Sequence, residues 1–220
     1  MHLKNNDFEE FINKLQDRLK EPLPGAHAQR IMMPAESTEE RFNLDKEDVR
    51  LGGVMVLFYE KEDGIYLPLT QRHDYNGTHG GQVSLPGGKW EEDDDNLEAT
   101  ALRETHEEIG VNPDDVTVIG KLSDLYIPPS NFRVSPFIGY TAIKPNFTID
   151  PYEVKELLEA PVNVLEDKTY RKQKDILVRS RFRLKAPYFD VNGKVVWGAT
   201  AMMLAELMSL IDEIKSTSDN

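Results

Sequence analysis

The sequence predicts an α/β fold, and three observations carry that prediction. Residues 51–59 are a continuous apolar run suited to a buried strand, and the turn Lys61-Glu62-Asp63-Gly64 leads into a hairpin partner at 65–72. An acid-rich helix is expected over about 96–109, between that hairpin and two further strand-like runs, 116–125 and 134–143. A second long helix, 200–214 with a Met/Leu-rich face, closes the chain.

Each element has a local reason. Phe8, Phe11, Ile12, Leu15 and Leu19 follow helical spacing, and Pro22 and Pro24 end the pattern. Residues 25–48 read as a connector with many charges. A glycine-rich stretch, 77–88, precedes the acid-rich helix. Gly110 stands at that helix's C-cap position and Asn112-Pro113 prevents continuation. Residues 176–185 alternate as one strand would, and Asn192-Gly193 gives the tight-hairpin signal within 190–194. The expected organisation is an N-terminal helix and connector (1–29), one large domain (30–215) and a frayed tail (216–220).

The chain has 220 residues, enough to hide roughly 70% of the unfolded surface, so no metal or disulfide is needed for folding. There is no cysteine, which excludes a disulfide scaffold, a thiolate zinc site and a cysteine nucleophile. The net charge of −13 argues against general nucleic-acid binding. No apolar run approaches the ~20 residues of a membrane span, and the first ten residues lack a signal-peptide layout. The expectation is a soluble, cytoplasmic protein.

The sharpest feature is Arg103-Glu104-Thr105-His106-Glu107-Glu108-Ile109-Gly110. Glu104, Glu107 and Glu108 stand at i, i+3 and i+4, on one helix face, where like charges cost about 0.2–0.5 kcal/mol per pair. Glu107 and Glu108 also sit in the last turn, where the helix dipole disfavours anions by roughly 0.3–1 kcal/mol each. One reading is a solvated acidic face. The other is a metal site, since carboxylates with a carbonyl from the Gly87-Gly88 turn suit Mg²⁺ or Mn²⁺. Arg103 can pair with Glu107 at i+4 and orient it.

These residues resemble a known family. Gly88, Arg103-Glu104, Glu107-Glu108 and Gly110-Val111 are similar to the box of the Nudix hydrolases, with departures. The step from Gly88 to Arg103 is 15 residues where 14 is usual, Asp94 or Asp95 replaces the mid-box glutamate, and Thr105 takes an aliphatic place. Leu69-Thr70-Gln71-Arg72 and Gly81-Gln82-Val83-Ser84-Leu85-Pro86-Gly87-Gly88 resemble the coenzyme A pyrophosphatase branch, with Leu85 for phenylalanine, His73 for Ser/Ala and Gly77 for arginine. Pro187-Tyr188-Phe189 and 197–201 are similar to the C-terminal part of that branch.

The resemblance implies a Nudix α/β/α sandwich with a mixed sheet. It also implies metal-dependent hydrolysis of a nucleoside diphosphate-linked substrate, with coenzyme A or acyl-CoA cut to 3′,5′-ADP and a phosphopantetheine. Other Nudix substrates (ADP-ribose, NADH, dinucleotide polyphosphates) and a non-catalytic sensing module are the alternatives. Mg²⁺ or Mn²⁺ would be held by Glu104 and Glu108, with Glu107 shared or supporting and the Gly88 carbonyl a further ligand. Glu104 or the loop acid Glu153 would take the proton from water. Arg72, His79, Gln82 and Lys89 are candidate substrate contacts. Residues 168–185 carry +7 against −20 for the remainder, and Arg179, Arg181 and Arg183 either face solvent on an edge strand or cradle the 3′-phosphate or a partner's acidic surface. The expected partner is a small-molecule nucleotide, not nucleic acid or membrane, with a homodimer left open.

Overall fold

The computed structural model describes residues 5–35, 37–73, 81–178 and 182–218. In chain order it contains α1 (Asn5–Arg18), α2 (Ala26–Gln29), β1 (Arg50–Lys61), β2 (Gly64–Arg72), β3 (Val83–Ser84), β4 (Gly87–Lys89) and α3 (Leu97–Ile109). Then come β5 (Thr117–Lys121), β6 (Leu125–Ile127), β7 (Phe132–Tyr140), β8 (Val154–Pro161), α4 (Val162–Glu166), β9 (Arg171–Val178), β10 (Phe182–Val191), β11 (Lys194–Trp197) and α5 (Gly198–Ser218).

β1 organises the sheet. It runs parallel to β7 on one side. On the other, its first half pairs antiparallel with β4 and its last residues with β2. β5 and β6 extend the β7 edge, while β3 and β8 flank β2. The sheet is therefore mixed. Side-chain alternation along β1 divides its two faces. Met55 and Leu57 pack under α3 with Ala101, Ile109 and Val111. Val56 and Phe58 point the other way, into the larger core with α1 and α5. The result is an α/β/α sandwich.

α1 is built into this core: Phe8, Ile12 and Leu15 are buried with sheet and α5 residues. α5 is buried almost all round its middle turns, including Glu206 at 0% exposure. That carboxylate accepts from Gly25 N, Gln29 Nε2, Ser123 N and Ser123 Oγ at 2.7–3.3 Å. Four neutral donors satisfy a buried acid and fasten the connector and the 122–124 turn to α5.

Several expected elements are corrected. The strand at 116–125 is two strands, β5 and β6, because Ser123 turns to Glu206 and Asp124 accepts from Ser135 Oγ. The strand at 134–143 starts at Phe132 and stops at Tyr140. The single strand at 176–185 is the meeting of β9 and β10, which run antiparallel with Val178 opposite Phe182. Every pair in this register joins residues of equal parity, Ile176 with Leu184 and Leu177 with Arg183, so a hairpin mimics one alternating strand. Arg183 thus lies opposite Leu177 on β10, while Arg179 and Arg181 lie outside the described residues. The hairpin at Asn192-Gly193 forms as its sequence demands, with φ of 51° and 81° at those two residues.

Candidate active site

The site forms where α3 crosses β4. Asn96 caps α3, its side chain accepting from Ala99 N at 2.9 Å. Gly110 ends the helix in the left-handed region, φ 74°, where a β-carbon would be strained. Gly88 allows the close crossing. A β-carbon there would collide with the Glu104 carboxyl group. The Gly88 carbonyl lies against Gly52 of β1, where a β-carbon would meet it at 2.5 Å.

Three carboxylates converge. Oxygens of Glu104, Glu108 and Glu153 lie within 4.8 Å of one another. Glu104 and Glu108 come from successive turns of α3, and Glu153 from the turn just before β8. Glu107 stands outside this group, its side chain half exposed and held at 3.0 Å by Arg103 Nη1.

Glu108 is 1% exposed. Its donors are distant: Arg72 Nη2 at 3.4 Å, Thr70 Oγ1 at 3.3 Å and Gly87 N at 3.4 Å. Burial is the main cause that pushes its carboxyl up to about 7; the Arg72 charge opposes this, and Glu104 and Glu153 add repulsion. Burial also raises Glu104, against the pull of Arg103 and with the push of Glu107 and Glu153. A nest of carboxylates so weakly compensated, offering only hard oxygen donors, fits a divalent cation such as Mg²⁺.

Arg103 braces the nest. It is fixed by a bidentate pair to Asp94, Nε to Oδ1 at 2.8 Å and Nη2 to Oδ2 at 3.0 Å. From there it donates to Glu104 Oε1 at 3.1 Å and to the Lys89 carbonyl at 3.0 Å. Asp94 is buried and also accepts from Thr100 Oγ1 and Glu91 N. The Arg103 hydrogen bonds, followed by those from Glu91 and Thr100, hold its carboxyl well below the usual range. Asp94 rather than Asp95 is therefore the mid-box acid that meets the arginine.

Among the expected substrate contacts, Arg72 reaches the nest, donating also to the Gly87 carbonyl at 3.4 Å. The Lys89 side chain is exposed. Gln82 lies beside Arg72, its carbonyl accepting from Arg72 N at 3.0 Å. His79 lies outside the described residues, and Arg183 is exposed on β10. Sequence reasoning missed Thr70, fully buried between Ser84 and Glu108. Its signal lay inside Leu69-Thr70-Gln71-Arg72, where a polar residue interrupts a buried strand.

The sequence profile of the NUDIX domain matches residues 49–179, which span β1, the carboxylate helix and β8. The chain belongs to the Nudix family. It is 33% identical over 177 residues to Nudix hydrolase 15, mitochondrial, of Arabidopsis thaliana, covering 77% of this chain and 61% of that protein. It is 34% identical over 148 residues to the uncharacterized Nudix hydrolase NudL of Pectobacterium atrosepticum, covering 67% of this chain and 76% of the relative. The chain thus spans about three-fifths of the length of the plant Nudix protein it matches. The crystal structure of the Nudix hydrolase RenU from M. Smegmatis has the same fold, with a TM-score of 0.50 at 14% identity, covering 84% of this chain and 94% of that one. Among the described residues, no helix of this Nudix protein is long and apolar enough to cross a membrane.

Proposed function

We propose that the chain is a pyrophosphohydrolase dependent on Mg²⁺ or Mn²⁺, acting on a nucleoside diphosphate-linked substrate, with coenzyme A or an acyl-CoA as the first candidate. The observation that carries this reading is the convergence of Glu104, Glu108 and Glu153 within 4.8 Å beside Arg72. The family match supports hydrolysis as the reaction. The segment Gly81-Gln82 to Pro86-Gly87-Gly88, together with Leu69-Thr70-Gln71-Arg72, favours coenzyme A among the family's substrates.

Glu104, Glu108 and Glu153 would hold the ion. Bound there, it would lower the pKa of a coordinated water and offset charge on the diphosphate. Arg103, locked on Asp94, fixes Glu104. Glu104 or Glu153 takes the proton from the attacking water. A new P–O bond forms as the bridging P–O bond breaks, and the leaving phosphate departs with the bridging oxygen. Arg72, held by its two acceptors only at the long distance of 3.4 Å, would turn to a phosphate oxygen.

The test is a panel of coenzyme A, dephospho-coenzyme A, ADP-ribose, NADH and a diadenosine polyphosphate, each with Mg²⁺, Mn²⁺ and EDTA. Release of 3′,5′-ADP from coenzyme A, abolished by EDTA, is the expected result. Faster turnover of another member would move the assignment within the family. Binding without hydrolysis of any would make the chain a nucleotide sensor.

A further inference from the structure

We propose that Lys194 is a positioning residue for the active site: it clamps a β-bulge that sets Glu153 and Arg72 against the carboxylates of α3. This rests on the reading of Glu104, Glu108 and Glu153 as a metal site. The Lys194 ammonium donates to Gln71 Oε1 at 2.9 Å and to Glu156 Oε2 at 2.5 Å. Gln71 and Glu156 lie directly opposite each other on β2 and β8. An ion pair whose side chains are 34% and 47% exposed contributes little to stability. Its location is what matters, because the register of the two strands changes at the very next pair.

From Tyr66 opposite Pro161 to Gln71 opposite Glu156 the pairing is regular. Arg72 then faces Val154, so Lys155 is an extra residue on β8. Burial records the same event: Lys155 and Glu156 are exposed in succession, where a regular strand would alternate. In a regular ladder Arg72 would face Lys155. Val154 and Glu153 would then each lie one residue, about 3.3 Å, past their present places. With the bulge, Val154 comes level with Arg72. Glu153 rides with it, since Glu153 N and Val154 N both donate to the Asp150 carbonyl, at 3.2 and 2.9 Å. The bulge thus lets two neighbouring strands deliver the Glu153 carboxylate to the nest and Arg72 Nη2 to Glu108 Oε1.

Lys194 reaches this point from the other sheet. It follows the Asn192-Gly193 turn, which is closed by Gly193 N donating to Asp190 Oδ1 at 2.9 Å and by the pairing of Val191 with Lys194. The tight hairpin gives the ammonium a fixed origin. Gln71 is held at its other end as well, its Nε2 donating to the Gly81 carbonyl at 3.3 Å. One cation therefore bonds a side chain from each strand at the last regular pair before the bulge. Without it, Glu156 loses this counter-charge and Gln71 loses this donor. The pair is then no longer tied across the strands, and the extra residue can slip along β8 and take Glu153 with it.

The experiment is a calorimetric titration of the full chain with Mn²⁺, without substrate. It compares wild type, Lys194→Met, Lys194→Arg, Glu108→Gln, Glu153→Gln and the double variant Lys194→Met with Glu153→Gln. Lys194→Met should weaken Mn²⁺ binding about 10-fold, the low end for a residue that orients a ligand without touching the ion. Lys194→Arg, which keeps a charged donor, should restore most of the affinity. On the Glu153→Gln background Lys194→Met should add nothing, because its effect runs through Glu153. The melting temperature of Lys194→Met should stay within about 4 °C of wild type, as for the loss of an exposed pair. Equal Mn²⁺ affinity in wild type and Lys194→Met, or the same loss with and without Glu153, overturns the clamp and leaves the metal reading standing. Mn²⁺ affinity that Glu108→Gln leaves intact overturns the metal reading, and the clamp falls with it.

Discussion

Glu108 shows how a side chain useful for chemistry burdens the fold that holds it. Its folded pKa of about 7 lies above the ordinary 4.5. Between those values the folded protein keeps a proton that the unfolded chain has released. Stability of the metal-free protein therefore falls as pH rises from about 4.5 through 7, then levels. Glu108→Gln removes this loss. In EDTA the variant should be more stable than wild type at pH 8 by about 1–3 kcal/mol, with the two converging near pH 4, as read from urea unfolding at both pH values. With metal and substrate, Glu104→Gln and Glu108→Gln should each lower kcat by orders of magnitude; full activity in both would remove the metal assignment. Asp94 has the opposite sign. Its carboxyl is held low chiefly by Arg103, so the stabilisation is present above the unfolded pKa and disappears as pH falls toward the folded value. Asp94→Asn should cost about 1.5–3 kcal/mol at pH 7, and the gap should narrow below pH 4.

At the scale of elements, α1 tests where the folding unit begins. Sequence alone separates residues 1–29 as a helix and connector, yet Leu15 is 0% exposed in the same core as α5 and the sheet. Leu15→Ala should cost about 2–5 kcal/mol in thermal or chemical unfolding and leave KM unchanged, because α1 packs on the face of the sheet opposite α3. If α1 were an appendage, the loss would be a fraction of that. The three long helices, α1, α3 and α5, and the β1–β2 hairpin were legible because periodicity, caps and turn residues agree locally. β8 was not. Its sequence Val-Lys-Glu-Leu-Leu-Glu-Ala-Pro carries charges on a strand that is only half buried, and its place beside β2 is a long-range pairing that no local pattern encodes. The β9–β10 hairpin was misread because its connection preserves parity. In the site, the α3 glutamates and Arg103 were readable from spacing on one helix. The choice of Glu153 over Glu107 for the carboxylate group was not, since it depends on Asp150 N reaching the Glu108 carbonyl across the fold.

Over the whole molecule, net charge and the proposed metal site would act on the same ligand. A chain at −13 gathers divalent cations weakly over its surface, and this field is screened by salt. On the proposed reading the nest would bind one specifically, because the carboxylates of Glu104 and Glu108, which burial disfavours, would gain a counter-charge. A ligand that binds only the folded state stabilises it by about 2.7 kcal/mol at a hundred times its Kd. For a chain of this size each kcal/mol moves the melting temperature by roughly 2–4 °C. Saturating Mg²⁺ or Mn²⁺ should therefore raise Tm by about 5–10 °C relative to NaCl of equal ionic strength, the control that subtracts general screening. The rise should be larger at pH 8 than at pH 6, since below about 7 the ion must displace the Glu108 proton. Glu108→Gln should lose most of the rise at both pH values while keeping the NaCl response. A Tm rise equal in wild type and Glu108→Gln would mean that the cations act on the acidic surface as a whole, and the nest would then lose its claim to be the metal site.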